Sequence, residues 1–255
     1  MEPKQGDYGG LERYLVQTLG LDDHPIGFHY TNSPPEGALT VTRKSRVCLY
    51  PFLNQVRKGK TAYFSREWKA CRGGAFYTGY KKSLMKGVGK FLSTGIPNLM
   101  PGERYKKNPE LGEETAALME YVPAAADYLV FRPLGAFTEH DPPEAAVIFG
   151  NADVMGALLF LANYARPGRD NVIVQFSSGC YSLLTEPRVQ ARREVPQAVL
   201  GSFDITCRPY LDPCTMTFSV PNGMLWEMAA EIPESFLVID PWMKVRGRSS
   251  RGVSR

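Results

Sequence analysis

Apolar residues recur along this chain with two different periods. Leu11, Tyr14, Leu15 and Leu19 share one face of a helix, and Gly20 follows as its stop. Pro25 to Tyr30 alternates as a strand does, and the Asn32-Ser-Pro-Pro-Glu-Gly37 turn formers end it. Val47, Leu49, Phe52, Leu53 and Val56 predict a helix over 48–58, with Pro51 in its first turn, where a missing amide proton does little harm. A short strand is predicted at 61–65. Beyond a polar stretch at 101–118, read as an exposed loop, strands are predicted at 128–133, 145–149, 171–176, 198–203, 216–220 and 236–239. Helices are predicted at 154–165, capped by Asp153, and near 222–230.

Strands and helices interspersed in this way over 255 residues predict an α/β or α+β protein, a mixed sheet or sheets with flanking helices. The length suits one sizeable core. The expected organisation is a flexible N-terminus at 1–10, a single globular domain at 11–243 with pseudo-repeated halves at 11–110 and 120–243, and a disordered basic tail at 244–255. The halves rest on an echo in which strand, helix and strand lead to Cys71 in one and to Cys180 in the other. Residue identity across that echo is poor.

Composition is that of an ordinary globular protein, 44% hydrophobic and 22% charged. No apolar run approaches the ~20 residues of a membrane helix. The first thirty residues carry acids that include Asp7, Glu12, Asp22 and Asp23 and lack the apolar core of a signal peptide, so the expectation is a cytoplasmic protein. The net charge is +4, but Lys244, Arg246, Arg248, Arg251 and Arg255 more than account for it. A body near neutrality lacks the broad basic face of a nucleic-acid binder.

The residues with distinctive chemistry are five widely spaced cysteines. An odd, scattered set suits reduced thiols or a metal site better than a disulfide framework. Cys48, Cys71, Cys180 and Cys207 are the candidate ligands for an iron–sulfur cluster or zinc, with Cys214 competing for the fourth place. No C-x-x-C spacing supports this locally. Free cysteines packed as small hydrophobes are the plain alternative. As a nucleophile Cys71 is favoured, with Lys69 and Arg72 beside it and Gly73-Gly74 after it, since cations and open backbone amides favour a thiolate. Its base by location is His140; His24 and His29 read as structural.

A third reading places a small anionic or aromatic ligand on the segment 71–82. There Arg72, Gly73, Gly74, Tyr77, Gly79 and Lys82 combine cationic side chains, open backbone and aromatic rings. The glycines equally serve tight turns. Asp204-Ile-Thr-Cys-Arg-Pro-Tyr210 lies between strand-like runs and adds Arg208 to the candidates for the same cleft. Paired catalytic carboxylates, H-E-x-x-H and G-x-S-x-G are absent from the sequence.

Leu19-Gly-Leu-Asp-Asp-His-Pro-Ile-Gly-Phe28, Cys48 with its helix, and Cys71-Arg-Gly-Gly-Ala-Phe-Tyr-Thr-Gly-Tyr80 resemble the domain of unknown function 169 family, as do Val147–Met155 and Ser178-Gly-Cys180. The resemblance covers most of residues 11–240 and matches the family at Cys48, Cys71, Gly73, Gly74, Gly79 and Cys180. It implies an archaeal or bacterial protein, often of anaerobic setting, where thiolate-ligated iron–sulfur clusters persist. It implies no settled activity.

Overall fold

The computed structural model describes residues 2–41, 47–67, 71 and 73–249. In chain order its first half contains α1 (Tyr8–Leu19), β1 (Ile26–Thr31), β2 (Leu39–Thr40), α2 (Tyr50–Arg57), β3 (Ala62–Ser65), α3 (Gly74–Tyr77) and α4 (Val88–Leu92). A small hairpin of β4 (Gly95–Ile96) and β5 (Met100–Pro101) leads to α5 (Pro109–Ala117) and then β6 (Tyr128–Pro133). The remainder is β7 (Ala145–Gly150), α6 (Ala152–Tyr164), β8 (Val172–Ile173), a π-helical turn Tyr181–Thr185 running into α7 (Glu186–Gln190), β9 (Ala198–Gly201), β10 (Met216–Pro221), α8 (Asn222–Glu231) and α9 (Asp240–Ser249).

Eight strands form one mixed sheet in the order β2-β3-β6-β1-β7-β10-β9-β8. The outermost pairs, β2–β3 and β8–β9, are parallel, and every pair between them is antiparallel. The pairing pattern therefore reads the same from either edge, with β1 beside β7 at the centre. It matches β3 with β9 and α2 with the helical segment 181–190. Cys71 and Cys207 each lie six residues past the end of their strand, Ser65 and Gly201. The sequence echo put Cys71 and Cys180 at like points; in the fold Cys71 follows β3, and Cys180 immediately precedes the π-helical turn at 181–185. β6 lies between β3 and β1 in the same sheet.

Alternation along the strands divides the core. Ala146, Ile148, Phe218 and Val220 face α1, α6 and α8. Phe28, Phe64, Phe131 and Val147 face α2 and the helical segment 181–190. β7 is central, and its unbroken apolar run is what burial on both faces demands. In α1, Leu11, Leu15 and Leu19 are buried, Asp7 accepts from the Gly10 amide at 2.8 Å, and Gly20 ends the helix at φ 67°.

Several boundaries differ from expectation. Helix α1 begins at Tyr8, inside the stretch read as flexible. The polar 101–118 segment contains α5, capped by Asn108, whose side chain accepts from the Leu111 amide at 3.0 Å. Asn151 rather than Asp153 caps α6, accepting from the Val154 amide at 3.1 Å. Strand pairing in 171–176 is confined to Val172–Ile173. Residues 236–238 form a 3-10 turn instead of a strand, with Ser235 capping it. The tail is helical through Ser249: Trp242 donates to the Thr18 carbonyl, Arg246 donates to that of Gln17, and Arg248 pairs with Asp153. Residues 250–255 lie outside the described residues.

Candidate functional site

A cleft of about 650 Å³ opens on the α2 face of the sheet, within the size range of small-molecule sites. Four of the five cysteines line it, namely Cys48, Cys71, Cys180 and Cys207. Cys214 is exposed and is not among the residues lining the cleft.

Each thiol is held by a different piece of chain. Cys48 immediately precedes α2, whose Tyr50 is wholly buried. The Tyr50 hydroxyl shares a 2.7 Å hydrogen bond with Ser202 Oγ, which in turn meets Thr217 Oγ1 at 2.8 Å. This chain ties the start of α2 to the loop after β9. The Cys71 amide donates to the Val47 carbonyl at 3.1 Å, bringing the loop after β3 alongside Cys48. Cys180 sits at the head of the buried helical segment, where Ser178 Oγ accepts from the Tyr181 amide at 3.1 Å. Cys207 is buried, and its thiol donates to the Asp204 carbonyl at 3.0 Å.

Gly179 makes this convergence possible. A Cβ there would overlap the Tyr50 hydroxyl and come within 2.9 Å of Cys207 Sγ. Replacing Gly179 with Ala is expected to lower stability by roughly 1–3 kcal/mol through overpacking. Displacing the neighbouring Cys180 should also slow alkylation of Cys71. Urea melts together with mass-spectrometric alkylation rates check both effects.

The thiols differ in acidity. Cys71 is pulled down to about 6, first because the Cys180 thiol donates a hydrogen bond to its sulfur. The Gly74 and Gly73 amides add to this, against the opposing effect of burial. Cys180, wholly enclosed and acting as that donor, is held well above the ordinary thiol value. Burial raises Cys48 and pushes Cys207 up to about 11. These opposite shifts favour the charge on Cys71, the less buried of the two thiols.

The other expected residues divide. Gly73 and Tyr77 line the cleft, and Gly73 lacks room for a Cβ against the Tyr77 ring. Gly74 is buried in α3 and contributes its amide. Gly79 serves a turn at φ 76°, packed on the backbone of residues 122–124, and does not line the cleft. Lys82 is exposed and off the cleft. Lys69 and Arg72 lie outside the described residues. Arg208 donates to the carbonyls of Asp212, Pro213 and Thr215, so it braces its own loop.

His140, expected as a base, is exposed beside Glu139 and is not among the residues lining the cleft. No histidine appears among those described lining residues. His24 pairs with Glu12 and His29 with Asp141, as structural residues do. The low proton affinity of Cys71 comes instead from Cys180 and the amides, so its thiolate forms without a separate base.

Sequence reasoning missed Asp204 as an organiser. Its carboxylate accepts from Tyr105 Oη at 2.8 Å, from the Gly179 amide at 3.3 Å, and from the Thr206 amide and hydroxyl at 2.9 and 2.8 Å. The Asp-x-Thr turn was a legible signal for the local bonds; Tyr105, 99 positions away, gave none. Phe176, Phe203 and Ile205 were also missed as cleft residues.

The donor chemistry suits a thiophilic metal, but the arrangement does not. Among the described residues no group of three or more Cys, His, Asp or Glu side chains is placed to hold a metal ion. The Cys207 thiol is engaged with the Asp204 carbonyl. Among the same residues no helix is long and apolar enough to cross a membrane.

No curated protein and no solved structure matches the chain. Residues 14–231 match the family described as uncharacterised ArCR, and that span includes β1 to β10 and all four cleft cysteines. The chain belongs to the domain of unknown function 169 family.

Proposed function

We propose that the cleft is a thiol–disulfide exchange site, in which Cys71 attacks a small disulfide and Cys180 resolves the product. The observation that carries this reading is that Cys71 and Cys180, from separate stretches of chain, line the same open cleft; the lowered proton affinity of Cys71 supports it. An attacking thiol is most effective when its acidity lies near ambient pH, and a resolving thiol must be within reach of the mixed disulfide.

The electron count closes within the dithiol. Cys71 thiolate attacks one sulfur of R–S–S–R, forming a Cys71–S–S–R bond and releasing RS⁻. Cys180 then gives up its proton, attacks the Cys71 sulfur and releases the second RS⁻. Both leaving thiolates take up protons according to their own acidity. The substrate disulfide gains two electrons and the protein becomes the Cys71–Cys180 disulfide. A small-molecule thiol in excess runs the same steps backwards and restores the dithiol. Once Cys71 is capped, it no longer holds the Cys180 proton as a thiolate does, which eases the second step.

Mild oxidation with diamide, followed by peptide mapping of the full chain, tests the pairing. The expected product is a Cys71–Cys180 disulfide reversible by dithiothreitol. The Cys180→Ser variant should stop at the mixed disulfide on Cys71. Protein purified without oxygen that carries stoichiometric iron or zinc on these thiols would overturn the reading, as would oxidation that leaves Cys71 and Cys180 unlinked.

A further inference from the structure

We propose that the outer face of α6, together with the turn before α9 and the first turn of α9, is the interface of a twofold-symmetric homodimer. This face lies across the sheet from the cleft, and the proposal does not depend on the exchange reading.

The first observation is apolar surface with no packing role in a single chain. Leu159, Phe160 and Tyr164 of α6 are exposed, as are Val238, Ile239 and Met243. Phe160 is 68% exposed, Val238 54% and Ile239 50%. Phe160 meets Phe236 edge-on with ring centroids 6.0 Å apart, and the Tyr164 hydroxyl donates to the Glu234 carbonyl at 2.7 Å. Near the other end of α6, Arg248 pairs with Asp153. These ties lay the 234–248 segment along one flank of α6, so the six side chains share one side of the molecule. The apolar run 236–239 has a strand's composition, yet among the described residues it pairs with no strand and leaves Val238 and Ile239 in water.

Six large side chains, each about half exposed, present roughly 500 Å² in all, taking about 150–250 Å² for an aromatic side chain wholly in water and somewhat less for an aliphatic one. That exceeds what scattered surface hydrophobes explain, and it is well over half of the ~800 Å² that each partner contributes to a standard interface. The polar rim supplies the remainder.

The second observation is that the face complements itself, as a twofold interface must. Gly156 stands one turn before Phe160 on α6, and among the described residues nothing lies within 4 Å of the position its Cβ would take. Glycine weakens a helix interior, and here it leaves a notch beside a protruding ring. Antiparallel pairing of α6 with its copy, centred between these two residues, seats each Phe160 ring over the other copy's notch. The flanking charges fit the same operation. Asp240 and Lys244 are exposed one turn apart on α9, and neither takes part in an ion pair among the described residues. Across a twofold axis the acid of each copy can meet the base of the other. Residues 250–255, Ser-Arg-Gly-Val-Ser-Arg, hold a single apolar side chain and are too polar to be the cover.

Sedimentation velocity of the full chain under reducing conditions, from about 1 to about 100 µM, tests the proposal. The species expected at the upper end is a dimer of two 28.4 kDa chains. Gly156→Leu fills open space in the single chain, so its circular dichroism and urea melt at low concentration should stay native. Its dimerisation should weaken about tenfold or more, and exposed Ile239→Glu should act alike. Asp240→Lys and Lys244→Asp should each weaken self-association about threefold or more, whereas an equimolar mixture of the two should form the heterodimer in preference to either homodimer.

A chain still monomeric at about 100 µM overturns the proposal, and binding of that monomer to phosphatidylcholine vesicles would assign the face to a lipid surface instead. A dimer indifferent to both Gly156→Leu and Ile239→Glu overturns it as well.

Discussion

Alkylation of Cys71 by iodoacetamide should follow a titration with its midpoint at about pH 6 and a plateau by about pH 7.5. An ordinary cysteine has its midpoint near 8.5. At pH 7 the difference amounts to about 0.9 against about 0.03 of the thiol ionised, roughly a thirtyfold gain in thiolate. The main cause is the Cys180 thiol donating to the Cys71 sulfur, so the partner's chemistry should control the midpoint. Cys180→Ala removes the donor and should move the midpoint up. Cys180→Ser keeps an O–H and should hold it nearer the native value. A midpoint indifferent to Cys180→Ala would show that the Gly73 and Gly74 amides are sufficient.

The same pair shapes the dependence of stability on pH. Between about pH 6 and about 8.5 the folded pair has lost one proton while the unfolded pair retains both, so stability rises with pH. Above about 8.5 the unfolded thiols ionise while Cys180, held well above its ordinary value, stays protonated, and the contribution falls again. The contribution of Cys71 is therefore lost as pH drops through about 6, and the contribution of the pair peaks near about 8.5. Urea melts of the native chain and Cys71→Ala across this range should differ most near the peak.

The Arg188→Met variant should lose about 3 kcal/mol of stability, the cost of stripping a buried ion pair of one partner. Arg188 is 4% exposed on α7. Its Nε donates to Glu144 at 2.6 Å, and its Nη atoms reach the carbonyls of Pro123 at 2.9 Å and Val122 at 3.3 Å. The guanidinium also lies 4.5 Å from the Tyr30 ring centroid. Met fills much of the volume but leaves the carboxylate and both carbonyls without their donor. These bonds fasten the segment bearing Cys180 to the start of β7 and to the chain ahead of β6. The variant should therefore also raise the Cys71 alkylation midpoint. A loss below about 1 kcal/mol would show that water replaces the lost donors.

Elements with a long, regular apolar period were legible in the sequence. Helices α1, α2, α6 and α8 and strands β1, β3, β6, β7, β9 and β10 fall close to their expected places. Short apolar runs were not. Phe236–Val238 has a strand's composition, but no neighbouring strand pairs with it, and Ser235 turns the backbone instead. The basic segment at 244–249 shows no strong period of its own, and its helix is held by Thr18, Gln17 and Asp153, residues distant in the chain.

The opening of the site was legible in part. Cys71-Arg-Gly-Gly announced a thiol beside open amides because the causes are adjacent in the chain. Its partner could not be read, since Cys180 is 109 positions away and equal in kind to three other thiols. By itself the sequence determined a mixed α/β architecture, its main helices and strands, and the glycine-flanked setting of Cys71. Those follow from local periodicity, turn chemistry and near neighbours. Only the tertiary structure decided that β6 enters between β3 and β1, that Cys180 and no described histidine lines the cleft with Cys71, and that Cys214 stands apart. Such choices depend on long-range strand pairing and on packing around Gly179 and Tyr50, which no local pattern encodes.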